Sequence, residues 1–317
     1  MNEKKISTVL VTGGAGFIGS HVVDGLVRAG YSVKVLDNLS AGRLENLGLH
    51  LSSGAIQFFE GDIRDKVLTE RLCGDVDAVV HLAASVSVPL SVKDPKGTFD
   101  VNVNGTSNLL YSCCSSDVRK VVFASSCAVY GAPEYLPIDE GHPTRPLSPY
   151  ASSKLEGEHV CEAFSECSHA DVVIFRFFNV YGSRQTSGEY GGVITKFLDR
   201  AEAGEPLVIF GDGSQTRDFV YVSDVVQAVL MVLGKNHTEG TFNVGFGEAV
   251  SVEALAEKVL ELTGKDVGVV HEPPREGDIQ RSVADVFKAQ EEFGFSAKVS
   301  LNEGLRRLIR ERSLTVR

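Results

Sequence analysis

The segment Thr12-Gly13-Gly14-Ala15-Gly16-Phe17-Ile18-Gly19 follows a short β-branched run, Ile6 to Val11, and precedes a stretch with helical spacing, Ser20 to Ala29. Its last six residues fit the pattern G-x-G-x-x-G. Glycines at these positions lack side chains, so the backbone can approach a pyrophosphate at the N-terminus of the following helix. The order of strand, glycine turn and helix predicts the first unit of a dinucleotide-binding α/β fold.

An acidic residue follows the next predicted strand. Tyr31 to Leu36 is β-branched and apolar, and it delivers Asp37 to its carboxyl end, 18 residues after Gly19. A carboxylate at this place accepts hydrogen bonds from a ribose 2′-OH and repels a 2′-phosphate, which favours NAD over NADP. The alternatives are a capping or turn role for Asp37 and, because Arg43 lies near, binding of NADP.

Predicted strands and helices continue to alternate as far as Arg176. The further strand candidates are Ile56 to Phe59, Ala78 to Leu82, Lys120 to Ser125 and Val172 to Phe175. Repeated β-α units predict an α/β fold with a Rossmann-type, doubly wound parallel sheet and right-handed crossovers. Ligands of such sheets bind at the carboxyl ends of the strands, where the glycine turn and Asp37 fall.

The predicted elements become shorter beyond Arg176. We expect residues 1–176 to form the NAD-binding domain, completed by about 217–245. Residues 177–216 and 246–317 are expected to form a smaller α/β region that binds the substrate.

The composition narrows the classes of partner. The 317 residues carry a net charge of −11 (31 basic and 42 acidic residues), and no basic run is long enough to grip a phosphate backbone. This balance argues against nucleic acids and anionic membranes. No apolar run reaches the length of a membrane span, so we expect a cytoplasmic protein. The six cysteines show no C-x-x-C spacing and predict reduced thiols, with no metal site.

Tyr150 and Lys154 are candidates for proton transfer. They stand at i and i+4, so on a helix the phenol and the ammonium project from one face. A positive charge about 5 Å away favours the phenolate by roughly 3 kcal/mol at an effective dielectric near 20. Ser126 follows the predicted strand Lys120 to Ser125 and is the candidate hydroxyl beside them. A chance pairing on a solvated helix is the alternative.

These features resemble the extended branch of the short-chain dehydrogenase/reductase superfamily, and within it the UDP-glucose 4-epimerases and related nucleotide-sugar epimerases. The resemblance runs from about Val9 to the C-terminal helices. Its motifs are Thr12-Gly13-x-x-Gly16-x-x-Gly19, Asp37-Asn38, Gly61-Asp62-Ile63, His81-Leu82-Ala83-Ala84, Asn102-Val103-Asn104-Gly105, Ser125-Ser126, Tyr150-x-x-x-Lys154, Arg176-Phe177-Phe178-Asn179, Arg217-Asp218 and Arg275-x-Gly277-Asp278.

The resemblance implies two sets of binding residues beside the catalytic Ser126, Tyr150 and Lys154. NAD would be bound by Gly13, Gly16, Phe17, Ile18, Gly19, Asp37, Asn38, Gly42, Asp62, Ile63, Leu82, Ala83, Ala84, Asn102, Tyr150, Lys154 and Phe177. A UDP-sugar would be bound by Ser126, Asn179, Val193, Phe210, Arg217, Arg275 and Asp278. Arginine forks match diphosphate oxygens, and an aromatic ring can stack on uracil.

The implied activity is inversion at C4 of a UDP-sugar. Tyr150 would take the proton of the 4-hydroxyl while C4 gives a hydride to NAD, and the 4-keto sugar would turn and accept the hydride on its other face. A homodimer built on the segment 94–115 and the Tyr150 helix is a family expectation. Apolar residues such as Leu109, Leu110 and Val160 could equally face the sheet.

Several alternatives stay open at this point. The related 4,6-dehydratases and decarboxylases carry acids directly after the serine, and the 4-reductase/3,5-epimerase relatives carry a cysteine two positions after it. This chain has Cys127 and Ala128 there, which argues against all three. A UDP-uronic acid 4-epimerase, an NAD-dependent dehydrogenase that releases its reduced cofactor and a non-catalytic nucleotide-binding protein remain.

Sugar selectivity depends on one position. Four residues beyond Asp278, where the family carries a side chain that limits the sugar pocket, this chain has the small residue Ser282. We therefore expect UDP-GlcNAc to fit as well as UDP-glucose.

Overall fold

The structure, a computed structural model, describes residues 5–186, 191–275 and 277–315. Within these residues the central sheet has seven strands, all parallel, in the order β7-β6-β5-β4-β1-β2-β3. They are β1 (Thr8–Thr12), β2 (Ser32–Asp37), β3 (Ile56–Glu60), β4 (Ala78–His81), β5 (Lys120–Ser126), β6 (Asp171–Phe177) and β7 (Gly240–Val244). The strand order reverses between β1 and β4, so the ligand crevice of a doubly wound sheet opens there. The predicted Rossmann-type α/β fold is confirmed.

Helices cover both faces of this sheet. The α-helices of the described residues, including those of the smaller region, are Phe17–Arg28, Gly48–Ser52, Lys66–Cys73, Val88–Lys93, Pro95–Phe99, Gly105–Cys114, Pro149–Cys167, Val193–Ala203, Val222–Gly234, Val252–Thr263, Phe287–Phe293 and Leu301–Thr315, with 3-10 turns at Leu44–Leu47 and Cys127–Tyr130. On β1, Val9 and Val11 pack against one layer of helices, and Leu10 packs against the other. Burial on both faces explains why the strands read as unbroken apolar runs.

The helical segment predicted at 94–115 is interrupted in the structure. Pro95–Phe99 leads into a π-helical turn, Asp100–Asn104, before α-helix resumes at Gly105. Such turns insert an extra residue and re-aim side chains, often at functional sites. Here the turn carries Asn102, which is buried.

A smaller α/β region follows β6. Leu207–Phe210 pairs in parallel with Val269–Glu272, Asn179–Tyr181 with Phe219–Tyr221, and Thr216–Arg217 pairs antiparallel with Val250–Ser251. Its core joins the helices that begin at Val193, Val252 and Leu301 through Ile194, Phe197, Leu255, Val259 and Leu305. Within the described part of the chain, no helix has the length and apolar character needed to cross a membrane.

Candidate active site

The glycine turn after β1 is packed too tightly for side chains. Gly13 has φ +71°, and a Cβ there would lie 2.7 Å from the backbone N of Ala83. A Cβ on Gly19 would lie 2.1 Å from the carbonyl oxygen of Gly13, and one on Gly16 would lie 3.2 Å from the same oxygen. The turn leads into the helix Phe17–Arg28, with Ile18 as its second residue. This bare cradle at a helix N-terminus fits the pyrophosphate of a dinucleotide.

Asp37 is held at the carboxyl end of β2. Its carboxylate accepts from the backbone N–H of Ala15 at 2.9 Å and of Leu39 at 2.8 Å. A Cβ on Gly42 would lie 2.8 Å from one carboxylate oxygen, so Gly42 leaves room beside it. Each oxygen keeps a further lone pair, as acceptance of ribose hydroxyls requires. The position suits the ribose role implied by the resemblance.

The ends of β2 and β3 are tied together next to Asp37. The Asn38 side chain donates to Asp62 at 2.9 Å, and Arg64 donates to both carboxylate oxygens of Asp62 at 2.8 Å. The hydrogen bond from Arg64 holds the pKa of Asp62 well below its usual range. The carbonyl oxygen of Ile63 accepts from Asn108 at 2.6 Å. Four of the predicted NAD-binding residues, Asp37, Asn38, Asp62 and Ile63, therefore lie together at the carboxyl ends of β2 and β3.

A buried chain of hydrogen bonds fixes the segment after β4. The Thr106 hydroxyl donates to the Asn102 carbonyl at 2.6 Å, so it accepts from His81 Nε2 at 2.9 Å. His81 Nδ1 then accepts from the Thr12 hydroxyl at 2.7 Å. Thr12 in turn accepts from the backbone N–H of Ala83 at 3.3 Å. Burial lowers the pKa of His81 to about 3, which keeps the ring neutral and the direction of these bonds fixed.

Asn102 joins this segment to the helix Pro149–Cys167. Its amide accepts from the backbone N of Ser85 at 2.7 Å, and donates to the Ser85 carbonyl at 3.0 Å and to the Ser153 hydroxyl at 2.9 Å. Leu82, Ala83 and Ala84 precede Ser85, and Tyr150 and Lys154 flank Ser153. Asn102 thereby positions the groove wall against the helix that carries the candidate catalytic pair.

Ser126, Tyr150 and Lys154 meet at the end of β5. The Lys154 ammonium donates to the Ala124 carbonyl at 2.8 Å and lies 5.2 Å from the centroid of the Phe123 ring. The Ser126 side chain lies next to the Tyr150 hydroxyl and lowers its pKa. Ser126 is the last residue of β5, and Phe177 is the last residue of β6 beside it. The chain thus brings the three predicted catalytic residues and Phe177 to the carboxyl edge of the sheet.

The pKa values of Tyr150 and Lys154 in the folded protein differ from what their spacing in the sequence predicts. Burial raises the pKa of Tyr150 to about 12, although the hydrogen bond with Ser126 lowers it. Burial also lowers the pKa of Lys154 to about 8, against the raising effects of Cys161 and Glu158. The spacing predicted a lowered pKa for Tyr150, whereas desolvation dominates in the ligand-free protein. The phenol is therefore protonated at rest and needs further positive charge to act as a base.

Cys127 lies beside Tyr150, and the state of its thiol argues against a nucleophile. Burial raises the pKa of its thiol to about 12, so the thiolate is scarce at neutral pH. All six cysteines are free thiols. Among the described residues, no group of three or more His, Cys, Asp or Glu side chains could hold a metal ion.

Two of the predicted substrate residues, Phe210 and Asp278, line a cavity of about 710 Å³ in the smaller region. Gln215 and His271, which were not predicted, line it as well. The Arg275 guanidinium lies 3.7 Å over the centroid of the Phe210 ring. Arg217 donates to Asp278 at 2.6 Å. Two arginines, an aromatic ring and a carboxylate are thereby collected in one cleft, as recognition of a nucleoside diphosphate requires.

Asp218, which follows Arg217, ties together three backbone segments. It is fully buried and accepts from the backbone N–H of Phe246 at 2.7 Å, of Gly247 at 2.9 Å and of Ala284 at 3.0 Å. Its own carbonyl accepts from the Asn179 side chain at 3.1 Å. Val193, the remaining predicted contact, begins the helix Val193–Ala203.

Residues 9–245 match the NAD dependent epimerase/dehydratase family. The chain belongs to this family. A UDP-glucose 4-epimerase of Mycolicibacterium smegmatis is 40% identical over 302 residues, which cover 95% of this chain and 96% of that protein. The family membership confirms the predicted superfamily, an NAD-dependent enzyme and NAD as its cofactor.

Two solved structures show how far the similarity extends. The UDP-glucose 4-epimerase of Thermotoga maritima, solved with UDP-glucose, is 39% identical with a TM-score of 0.93, over 98% of this chain and 100% of that one. A UDP-N-acetylglucosamine 4-epimerase of Methanobrevibacter ruminantium, solved with UDP-N-acetylmuramic acid, is 35% identical with the same TM-score of 0.93, over 98% and 100% of the two chains. Relatives with different sugars therefore share this whole fold with the chain.

Some residues that order the site were not among the predicted catalytic or binding residues. Thr12 and His81 act through neighbours that are distant in the chain, so their partners could not be inferred from it. Gln215, whose amide donates to the Phe210 carbonyl at 2.8 Å, is of the same kind. Glu158 had a usable signal, because it stands one further turn beyond Tyr150 and Lys154 on the same helix face.

Proposed function

We propose that the chain inverts C4 of a UDP-sugar, interconverting UDP-glucose and UDP-galactose through a transient 4-keto sugar. The observation that carries this proposal is the meeting of Ser126, Tyr150 and Lys154 at the carboxyl edge of the sheet. Pure nucleotide binding has no use for a phenol paired with a buried ammonium. The names of the relatives point to the same reaction.

Tyr150 takes the proton of the sugar 4-hydroxyl, and Ser126 donates a hydrogen bond to the same oxygen. When bound, NAD accepts a hydride from C4 and returns it, and its positive ring adds to the charge that favours a phenolate. The ammonium of Lys154, which donates to the Ala124 carbonyl at 2.8 Å, is the positive charge that the protein itself supplies. On return of the hydride Tyr150 gives the proton back, so no second substrate is consumed.

The two regions divide the binding. Residues 1–176 with about 217–245 hold NAD, and 177–216 with 246–317 hold the nucleotide sugar. Asn179, Val193, Phe210, Arg217, Arg275 and Asp278 are proposed to bind the uridine and the diphosphate. Anchored by the diphosphate, the sugar can turn without leaving the site, and the second face of C4 then meets the cofactor.

Dehydration and decarboxylation are disfavoured by the residues after Ser126. The relatives that eliminate water or CO2 place a carboxylic acid there, whereas this chain has Cys127 and Ala128. A thiol with a pKa raised to about 12 cannot replace that acid.

Incubation of the purified protein with UDP-glucose tests the proposal. The expected product is UDP-galactose, formed without net accumulation of NADH. Stoichiometric NADH would indicate a dehydrogenase, and an unchanged sugar with bound nucleotide would indicate a binding protein.

We further propose that the sugar pocket accepts N-acetylated sugars because of Ser282. Ser282 is buried beside the cleft, between Gln280, whose carbonyl accepts from Thr216 at 2.9 Å, and Ala284. Replacing Ser282 with tyrosine is expected to lower kcat/KM for UDP-GlcNAc by about 10-fold or more relative to UDP-glucose, because the ring collides with the 2-acetamido group. Parallel assays of both sugars measure this.

Ser282→Ala is the matched control, since it keeps the volume small and should leave the ratio of the two activities unchanged. A wild type that excludes UDP-GlcNAc altogether would contradict the open pocket.

A cytoplasmic homodimer completes the proposal. Leu109 and Leu110 are buried in the core of the chain itself and are not available for a partner. Val88, Leu90, Val92 and Tyr111 are exposed on the segment 88–111, and they are the apolar surface proposed for the contact. Light scattering of the purified protein distinguishes dimer from monomer.

A further inference from the structure

Three consecutive residues of β5 face three successive turns of the helix Pro149–Cys167. The Ala124 carbonyl accepts from Lys154 at 2.8 Å, the Ser125 hydroxyl donates to Glu158, and Ser126 lies next to Tyr150 and lowers its pKa. Glu158 is i+4 from Lys154 and i+8 from Tyr150, so all three side chains lie on one helix face. The helix is thereby held in one register along the strand.

Glu158 is also one half of a buried ion pair. Its carboxylate accepts from Arg176 Nε at 3.0 and 3.2 Å and from Nη2 at 2.6 Å, and the two residues are 1% and 6% exposed. Such a fork restricts orientation more strongly than a single contact does. Arg176 precedes Phe177, so the pair fixes the end of β6 beside the end of β5.

The network continues beyond the ion pair. Arg176 Nη1 donates to the Tyr130 hydroxyl at 3.1 Å, and that hydroxyl donates to Asn243 at 2.7 Å. Asn243 donates to the Ile138 carbonyl at 2.9 Å. The helix, β5, β6 and β7 are therefore joined by hydrogen bonds between buried side chains.

We propose that Glu158 and Arg176 are positioning residues for the epimerase chemistry: together they set Ser126 and Tyr150 in place, and Glu158 keeps the buried Lys154 ammonium charged. Neither touches the reacting atoms, and this inference rests on the proposed function.

The effect of Glu158 on the charge of Lys154 depends on the groups around the Lys154 ammonium. The titratable groups that act on it are Cys161 and Glu158 on its own helix and His81 on β4, and Glu158 is itself paired with Arg176 on β6; the β5 side is formed by the Phe123 ring and the Ala124 carbonyl. Burial raises the pKa of Cys161 and lowers that of His81, so both are neutral near pH 7. Glu158 is the group among them that supplies negative charge, and it raises the pKa of Lys154, which stands at about 8.

Three variants test the proposal. Glu158→Gln keeps the shape and removes the charge, Arg176→Lys keeps both charges but removes the fork, and Glu158→Met with Arg176→Met replaces the pair by apolar groups that need no partner. For Glu158→Gln we expect kcat to fall about 10- to 100-fold with KM for the UDP-sugar within about 3-fold, as for a misplaced catalytic group. Its alkaline limb of kcat should move to lower pH, because Lys154 loses its proton more easily.

The other two variants separate positioning from mere stability. Arg176→Lys should keep the alkaline limb at the wild-type pH. The double methionine variant should unfold near the wild-type midpoint and still show the loss in kcat. Wild-type kcat and pH profile in Glu158→Gln, or recovery of wild-type kcat in the folded double variant, would overturn the proposal.

A readout without turnover keeps this test independent of the proposed reaction. Carbon-13-labelled lysine, with the Lys154 resonance assigned from Lys154→Met, reports the ionisation of Lys154 by NMR. The titration should move to lower pH in Glu158→Gln. An inactive wild type would count against the proposed function alone, whereas an unmoved Lys154 titration would count against the role of Glu158.

Discussion

Replacing Tyr150 with phenylalanine is expected to lower kcat by about 10³-fold or more, within the range seen when a general acid–base group is removed. The phenol of Tyr150 is the group placed to move the proton of the 4-hydroxyl, and phenylalanine keeps the ring but has no exchangeable proton. KM for the UDP-sugar and affinity for NAD should change little, since the diphosphate and the glycine turn are held elsewhere. Initial rates with UDP-glucose and calorimetry with NAD measure both.

The high pKa of Tyr150 shows how much stabilisation its phenolate needs. With its pKa raised to about 12 by burial, the phenol needs about 7 kcal/mol of favourable interaction with its anion to be half ionised at pH 7. That pKa already includes the effect of Lys154, so the positive ring of NAD, when bound, has to supply the remaining interaction.

A second tyrosine provides the matched control. Tyr111 is exposed and carries the Lys66 ammonium 4.4 Å from its ring centroid, so it also pairs a phenol with a lysine. Tyr111→Phe should leave kcat unchanged. A Tyr150→Phe enzyme with near-wild-type turnover would remove Tyr150 from the mechanism.

Replacing Gly19 with alanine is expected to lower the affinity for NAD by about 100-fold or more. The added Cβ would lie 2.1 Å from the Gly13 carbonyl oxygen and 2.8 Å from Gly14 Cα, so the backbone of the turn has to move. Overpacking of this kind costs about 3 kcal/mol, which corresponds to roughly 100-fold in binding when the strain falls on the ligand cradle. Calorimetric titration with NAD measures the loss.

Gly234→Ala is the control for this change. Like Gly19, Gly234 lies in a helix, Val222–Gly234, but a Cβ on it would have no atom within 4 Å. This variant should bind NAD as the wild type does. Wild-type affinity in a folded Gly19→Ala protein would show that the turn is not the pyrophosphate site.

Local patterns were enough to predict the frame of the molecule. The glycine turn, the apolar runs and the position of Asp37 each follow from a few neighbouring residues, so the α/β fold and the NAD groove could be inferred before any coordinates. The helix at Phe17 begins three residues earlier than its spacing indicated, because the N-terminus is set by the turn at Gly16. The π-helical turn at Asp100–Asn104 has no comparable signal in its own residues.

The pKa values of the site residues depend on neighbours that are distant in the sequence, so local patterns did not predict them. The spacing of Tyr150 and Lys154 gives the attraction between them but not the desolvation, which raises the pKa of one and lowers that of the other. The neutral state of His81 likewise depends on its burial, and the direction of its hydrogen bonds depends on Thr12 and Thr106, 69 and 25 residues away. Burial has to be known before such groups can be assigned a charge.

In the proposed reaction, hydrogen leaves C4 of the sugar and returns to the same carbon without leaving the site. UDP-glucose deuterated at C4 tests it, with the product examined by NMR in ordinary water. We expect the product UDP-galactose to retain the deuterium at C4. Deuterium lost to solvent, or transferred to NADH that leaves the enzyme, would contradict it.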